Sequence, residues 1–111
     1  MKKMSALSVR QPYAELILQG KKTIEYRSIP TKKRGETVYI YASKTPAHPD
    51  QFEEAELNQD ELPTGVIVGT VEIVSCEGVK GDYEWSLSNP VRFKKTRKPK
   101  NQPQVVWFFP F

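Results

Sequence analysis

Gly65-Val66-Ile67-Val68-Gly69-Thr70-Val71-Glu72-Ile73-Val74-Ser75-Cys76 is the stretch that decides the fold class. It is dense in β-branched and apolar residues, which suit a pleated, half-buried surface. It is too short to span a bilayer, which takes about 20 consecutive apolar residues. It is long for one straight strand, so Gly69 is expected to mark a bend or bulge, and Gly78 and Gly81 close it. Working outward, Thr37-Val38-Tyr39-Ile40-Tyr41-Ala42 has the same character and reads as a second strand. Lys22 to Ser28 alternates, with Thr23, Glu25 and Arg27 on one face and Lys22, Ile24, Tyr26 and Ser28 on the other. Leu7 to Val9 predicts a short first strand, and Val91-Arg92-Phe93 and Val105 to Phe109 the last ones. Tyr83 to Leu87 reads as a helical turn or a strand, and the proline-spotted basic segment after Phe93 as a loop.

Two helices complete the pattern. Pro12 can open a helix because its missing N–H costs nothing in the first turn. Tyr13, Ala14, Leu16, Ile17 and Leu18 then form an apolar face at helical spacing, and Gly20 is a good stop. The expected helix is Pro12 to Gln19. Asp50 to Asn58 suits an acidic surface helix anchored by Phe52 and Leu57. About five to six short strands with two or more short helices fit a mainly β, α+β fold, a small barrel, better than a doubly wound sheet.

The chain has 111 residues, the size of one domain (1–111). Its 38% hydrophobic and 27% charged residues exclude a disordered tail as the dominant state. The lysines at 2 and 3 precede an apolar stretch too short and broken for a signal peptide, so a cytoplasmic location and no membrane partner are expected. The lone Cys76 reads as a buried small hydrophobe on a strand. With a single histidine, His48, and no spaced carboxylate cluster, neither a metal site nor a cofactor is expected.

Net charge is +4, unevenly spread. Arg92, Lys94, Lys95, Arg97, Lys98 and Lys100 fall in a stretch with no acid. Asp50, Glu53, Glu54, Glu56, Asp60 and Glu61 fall in a stretch with no base. Such segregation gives the surface one side that attracts polyanions. A basic run contacts phosphates and positions a nucleic acid without reading its sequence.

The most informative constellation is Gly20-Lys21-Lys22-Thr23-Ile24-Glu25-Tyr26-Arg27. Glu25 and Arg27 share a strand face, so their heads can meet or both can face one ligand. A carboxylate beside Lys and Arg holds those side chains in place. Arg offers a planar fork for a phosphate or base edge, and Lys a mobile point charge. The same trio can equally be an ordinary surface ion-pair ladder.

Ser8-Val9-Arg10-Gln11-Pro12-Tyr13-Ala14 followed by Gly20 to Ser28 resembles the opening of ASCH domains, a Gln-Pro-aromatic helix start and then Gly-x-Lys-x-x-Glu-x-Arg. Tyr39 to Ser43 resembles the family's central strand. Tyr83-Glu84-Trp85-Ser86-Leu87-Ser88-Asn89-Pro90 resembles its Tyr-x-Trp-x-Leu-x-x-Pro block, and Lys100-Asn101-Gln102 with Val106-Trp107 its closing segment. The resemblance spans nearly the whole chain in order and implies a PUA-like β-barrel with a cleft proposed for RNA. Carried onto this chain, the cleft residues are Gln11, Lys22, Glu25 and Arg27, with Ser43 and Trp85 nearby. Arg92, Lys94, Lys95 and Arg97 add phosphate contacts. Two departures stand out: Ile29 where many relatives have Trp, and Asn101 where glycine is usual.

The expected partner is RNA or a nucleoside-like ligand, held by a binding module. The alternative is a small hydrolase acting on RNA or on an acylated nucleoside. One branch of relatives reads Lys-Thr-x-Thr-x-Arg and uses the second threonine as nucleophile. Glu25 replaces it here, and a carboxylate is a poor acyl acceptor. A ribonuclease needs only a base, an acid and a cation near a 2′-hydroxyl, roles open to Lys22, Glu25 and Tyr26 with Arg27 alongside. A protein-interaction accessory domain is the third class.

Overall fold

The computed structural model describes residues 3–101 and 106–111. Its element order is β1 (Ala6–Val9), α1 (Tyr13–Leu18), β2 (Ile24–Arg27), β3 (Glu36–Ala42), α2 (Pro49–Glu54), a 3-10 turn (Gln59–Glu61), β4 (Val66–Val79), β5 (Asp82–Arg97) and β6 (Trp107–Phe108). The six strands form one sheet in the order β2-β5-β4-β3-β1-β6. β1 and β3 run parallel and the other pairs antiparallel. The sheet curls into a half-barrel. Trp85 of β5 stacks on Trp107 of β6 at 5.7 Å although three strands separate them in the sheet. Arg27 of β2, at one edge, donates to the Ser8 carbonyl of β1, near the other.

Alternation along the strands sends side chains to two apolar layers. Leu7, Val9, Val38, Ile40, Ala42, Val71 and Ile73 fill the concave core with Ala14 and Ile17 of α1 and Trp85. Ala6, Tyr41 and Ile67 form a second cluster, flanked by Tyr39, Phe93, Phe108 and Phe111. Burial pushes the Tyr41 phenol above its usual value.

The strand expected at Gly65–Cys76 is β4, and Gly69 does sit at a register irregularity. A Cβ there would stand 2.1 Å from the Val91 carbonyl oxygen and 2.8 Å from Leu18 Cδ2, so the glycine lets β5 and α1 close on β4. The expected helix from Pro12 is α1, with Pro12 as its N-cap. The acidic helix is shorter than expected. α2 ends at Glu54, and Glu56 has φ 59°, which no continuing helix tolerates. His48 caps α2 by accepting from the Asp50 amide.

β5 is the main correction. Tyr83–Leu87 and Val91–Phe93 are not separate elements, and the basic segment through Arg97 is not a loop: all belong to one strand. The strand passes Pro90 because the Asn89-Pro90 pair bulges opposite Val71, with Asn89 at φ 52°. A bulged residue makes no ladder bond, so the missing N–H costs nothing there. Cys76 lies on β4 opposite Trp85, half-buried rather than sealed. Of the closing segment, Gln102 and Val105 lie outside the described residues, and β6 is Trp107–Phe108. Among the described residues no helix is long and apolar enough to cross a membrane.

Candidate functional site

The site is built by the exit from α1. Gly20 adopts φ 76°. Its amide donates to the Ile17 carbonyl and the Lys21 amide to the Leu16 carbonyl, both at 3.0 Å. This pair of reversed bonds is a Schellman closure, which turns the chain sharply and satisfies the last carbonyls of the helix. Lys22 also donates its amide to the Leu16 carbonyl, and the chain then enters β2. On the other side the parallel strands β1 and β3 end together, tied by the Ser43 amide on the Val9 carbonyl.

Between these ends lies an open hollow of about 760 Å³. Ser8, Val9 and Arg10 from the end of β1 line it, with Tyr13 of α1, Ser43 beyond β3, and Val106. Lys22, Glu25, Tyr26 and Arg27 complete the wall.

The three charged heads meet there. Arg27 Nε donates to Glu25 Oε2 at 2.8 Å, and Arg27 Nη2 bonds the same oxygen and, at 2.9 Å, the Ser8 carbonyl. Lys22 Nζ donates to the Ile24 carbonyl at 2.6 Å and stands 3.4 Å from Glu25 Oε1. The Lys22 ammonium also lies 5.6 Å from the Tyr13 ring centre and 5.3 Å from that of Tyr26. The Lys22 and Arg27 side chains keep 16% and 19% of their surface exposed, so they are fixed by neighbours yet reachable. The hollow carries three cations against one carboxylate. Ser8 Oγ is buried and has no hydrogen-bond partner among the described residues. A buried hydroxyl in that state costs free energy unless something bonds it.

Of the ten residues expected to serve as ligand contacts, Lys22, Glu25, Arg27 and Ser43 line the hollow, as does Tyr26 from the catalytic alternative. Gln11 does not. It is buried, donating to the Pro63 carbonyl and accepting from the Glu15 amide, both at 3.0 Å, so its amide knits α1 to the chain before β4. Trp85 does not either. It is sealed in the core, stacked on Trp107 with its indole N–H on the Ile29 carbonyl. Its ring lies behind Arg27, 5.7 Å from the guanidinium carbon.

The basic residues of β5 stand outside the hollow's lining. Arg92 makes a two-pronged pair with Glu15 of α1, both contacts 2.7 Å. That pairing holds the Glu15 carboxyl below the usual carboxylate range, against the opposing effect of its burial, and raises the Arg92 guanidinium. Arg97 lies over the Phe111 ring at 3.8 Å. Lys94 and Lys95 are exposed on a wide irregularity where residues 93–96 face Val68 alone. Ser8 and Arg10 line the hollow without having been singled out in the sequence. The signal for them was their place next to the Gln-Pro helix start. No group of three or more His, Cys, Asp or Glu that could hold a metal occurs among the described residues.

Comparison with known proteins follows the same outline. A family model of the ASCH domain matches residues 7–102. The crystal structure of ASCH from Zymomonas mobilis is similar to this chain with a TM-score of 0.64 at 16% identity, covering 96% of this chain and 87% of that one. The structure of a serine-to-alanine mutant of the Zymomonas mobilis protein gives 0.61 at 16% identity, with the same coverage. At that identity the likeness establishes the fold alone. No curated protein matches the chain.

Proposed function

The chain belongs to the ASCH domain family, and from that premise we propose that its hollow is a binding site for single-stranded RNA, admitting one nucleotide between β1 and β2. The observation that carries this reading is the fixed trio at an open mouth. Glu25 clamps Arg27 and Lys22 in place while both cations remain reachable. Their spare N–H groups suit a phosphate or a base carbonyl, and Arg does this with pre-set geometry. Tyr26, 63% exposed beside them, offers a stacking face. Ser8 Oγ, buried in the hollow's wall, has no hydrogen-bond partner among the described residues. The excess of positive charge supplies an attraction that carries no sequence information by itself.

The test is titration of labelled single-stranded RNA at several salt concentrations. Affinity is expected to fall as salt rises, by about 0.7 in log–log slope for each phosphate contact. Lys22→Ala is expected to weaken binding about tenfold, the size of one good contact of about 1.4 kcal/mol, with the melting temperature of the protein read in parallel. Binding indifferent to salt removes the electrostatic account. Incubation with labelled RNA and with acetylated cytidine completes the test, since turnover lost on Lys22→Ala replaces binding with hydrolysis.

A further inference from the structure

The Tyr13–Lys22–Tyr26 wall has a second face. Beyond it lies a smaller depression of about 360 Å³, which shares those three residues with the large hollow and adds Leu16, Lys21, Thr23 and Ile24. A site of this size falls in the range of small-ligand pockets, about 300–1,000 Å³. We infer, on the reading that the large hollow takes a nucleotide, that the smaller depression takes the adjoining nucleotide of the same strand, the linking phosphate lying against the Lys22 ammonium. The substrate class is then an oligonucleotide of two residues or more, not a free nucleoside.

Three features carry this. The shared wall is built around a cation: Lys22 Nζ sits 5.6 and 5.3 Å from the centres of two tyrosine rings, one ring on each of two elements. An ammonium has three donors: the Ile24 carbonyl takes one at 2.6 Å, and Glu25 Oε1, 3.4 Å away, engages a second, which leaves one. Donor capacity therefore remains at the boundary between the hollows, where a phosphodiester joining two nucleotides must pass. Next, the lining differs in charge. The large hollow includes the Glu25 carboxylate, whereas the smaller depression has Lys21 and Lys22 and no acid. That balance favours a polyanion over a neutral or cationic ligand. Last, the surfaces suit a stacked base. Leu16 and Ile24 give a half-buried apolar floor, and Tyr26 is left 63% exposed. Every base has a face that can stack on such a ring, whatever its identity.

The experiment compares the four ribonucleoside 5′-monophosphates with the matching 5′-phosphorylated ribodinucleotides, titrated by calorimetry on the whole chain. The dinucleotides are expected to bind about tenfold tighter, the scale of one added stacked base. Thr23→Trp, an exposed position lining only the smaller depression, is expected to abolish that advantage and leave monophosphate affinity unchanged. Lys21→Glu, also exposed, is expected to cut it several-fold, and melting curves confirm that both variants fold. If dinucleotides bind no tighter than monophosphates, or if the advantage survives both substitutions, the inference is overturned while the reading of the large hollow stands. If neither class of ligand binds, the reading itself fails and the inference with it.

Discussion

Trp85 shows how one residue can support a hollow without lining it. Its indole is sealed between Trp107 and the Arg27 guanidinium, and its N–H is satisfied by the Ile29 carbonyl. Removing the ring opens a large void at the seam where β5 meets β6 across the barrel. Trp85→Ala is therefore expected to cost about 3–5 kcal/mol of stability, read as a fall in the urea midpoint at unchanged slope. A loss of RNA affinity without that fall would put Trp85 back in the hollow. The residue scale also shows what spacing reveals. Lys22, Glu25 and Arg27 were legible because two of them share a strand face and the third precedes it by one turn of chain. Gln11 and Trp85 were not, because a polar amide or an indole can line a cleft or plug a core, and tertiary packing alone decides which. Ser8 and Arg10 were hidden for a related reason: their place in the hollow depends on β1 pairing in parallel with β3, whose partner residues lie more than thirty positions along the chain.

At the scale of elements, α1 is the part that holds the site in register, and it meets the paired strands β4 and β5 at two points. One is the Glu15–Arg92 pair. The Glu15 carboxyl lies below its ordinary value of 4.5 in the fold, chiefly through the hydrogen bonds from Arg92. A carboxylate with a depressed folded value adds stability that is complete above the ordinary value and is lost as the pH falls through the folded one. Glu15→Gln is thus expected to be less stable than the parent near neutrality, with the gap closing well below pH 4.5. Urea midpoints of both proteins across that range check it. A gap independent of pH would mean that the carboxylate contributes by packing alone. The other point is Gly69, where a methyl group would meet the Val91 carbonyl and Leu18. Gly69→Ala is expected to destabilise by about 1–3 kcal/mol through overpacking, seen as a lower melting temperature. Strands β3 and β4 were readable from their β-branched runs. β5 was not, since Pro90 and the lysines that follow are the punctuation of a loop. What overrides them is the ladder with β4, whose bulges absorb the proline and the extra residues.

For the molecule as a whole, charge separates by element. The acids of the 50–62 stretch fall on and around α2 and the 3-10 turn, and the bases of the 92–98 stretch on and just past β5. α2 also reaches the hollow's edge, where Gln51 accepts from the Tyr13 hydroxyl. An RNA seated in the hollow therefore meets an acidic element beyond Tyr13, which repels its phosphates. The bases lie further along β5, on the part that pairs with Ile67 to Gly69 of β4 and not on Tyr83–Ser86 beside β2. Charge separated in this way can orient a long polyanion without any base contact. Lys94 and Lys95 are the residues to test, because they are exposed, lie outside the hollow's lining and sit on an irregular part of β5 that places little demand on side-chain identity. The double reversal Lys94→Glu with Lys95→Glu is expected to weaken a long single-stranded RNA and to flatten its salt dependence by about 1.4 in slope, at about 0.7 for each phosphate released. Mononucleotide affinity should not change, since that ligand never leaves the hollow. Titrations of both ligands over a salt series separate the contributions. An unaltered slope for the long RNA would take β5 out of its path, and a matching loss for the mononucleotide would show the reversal acting through the protein's overall field rather than through contact.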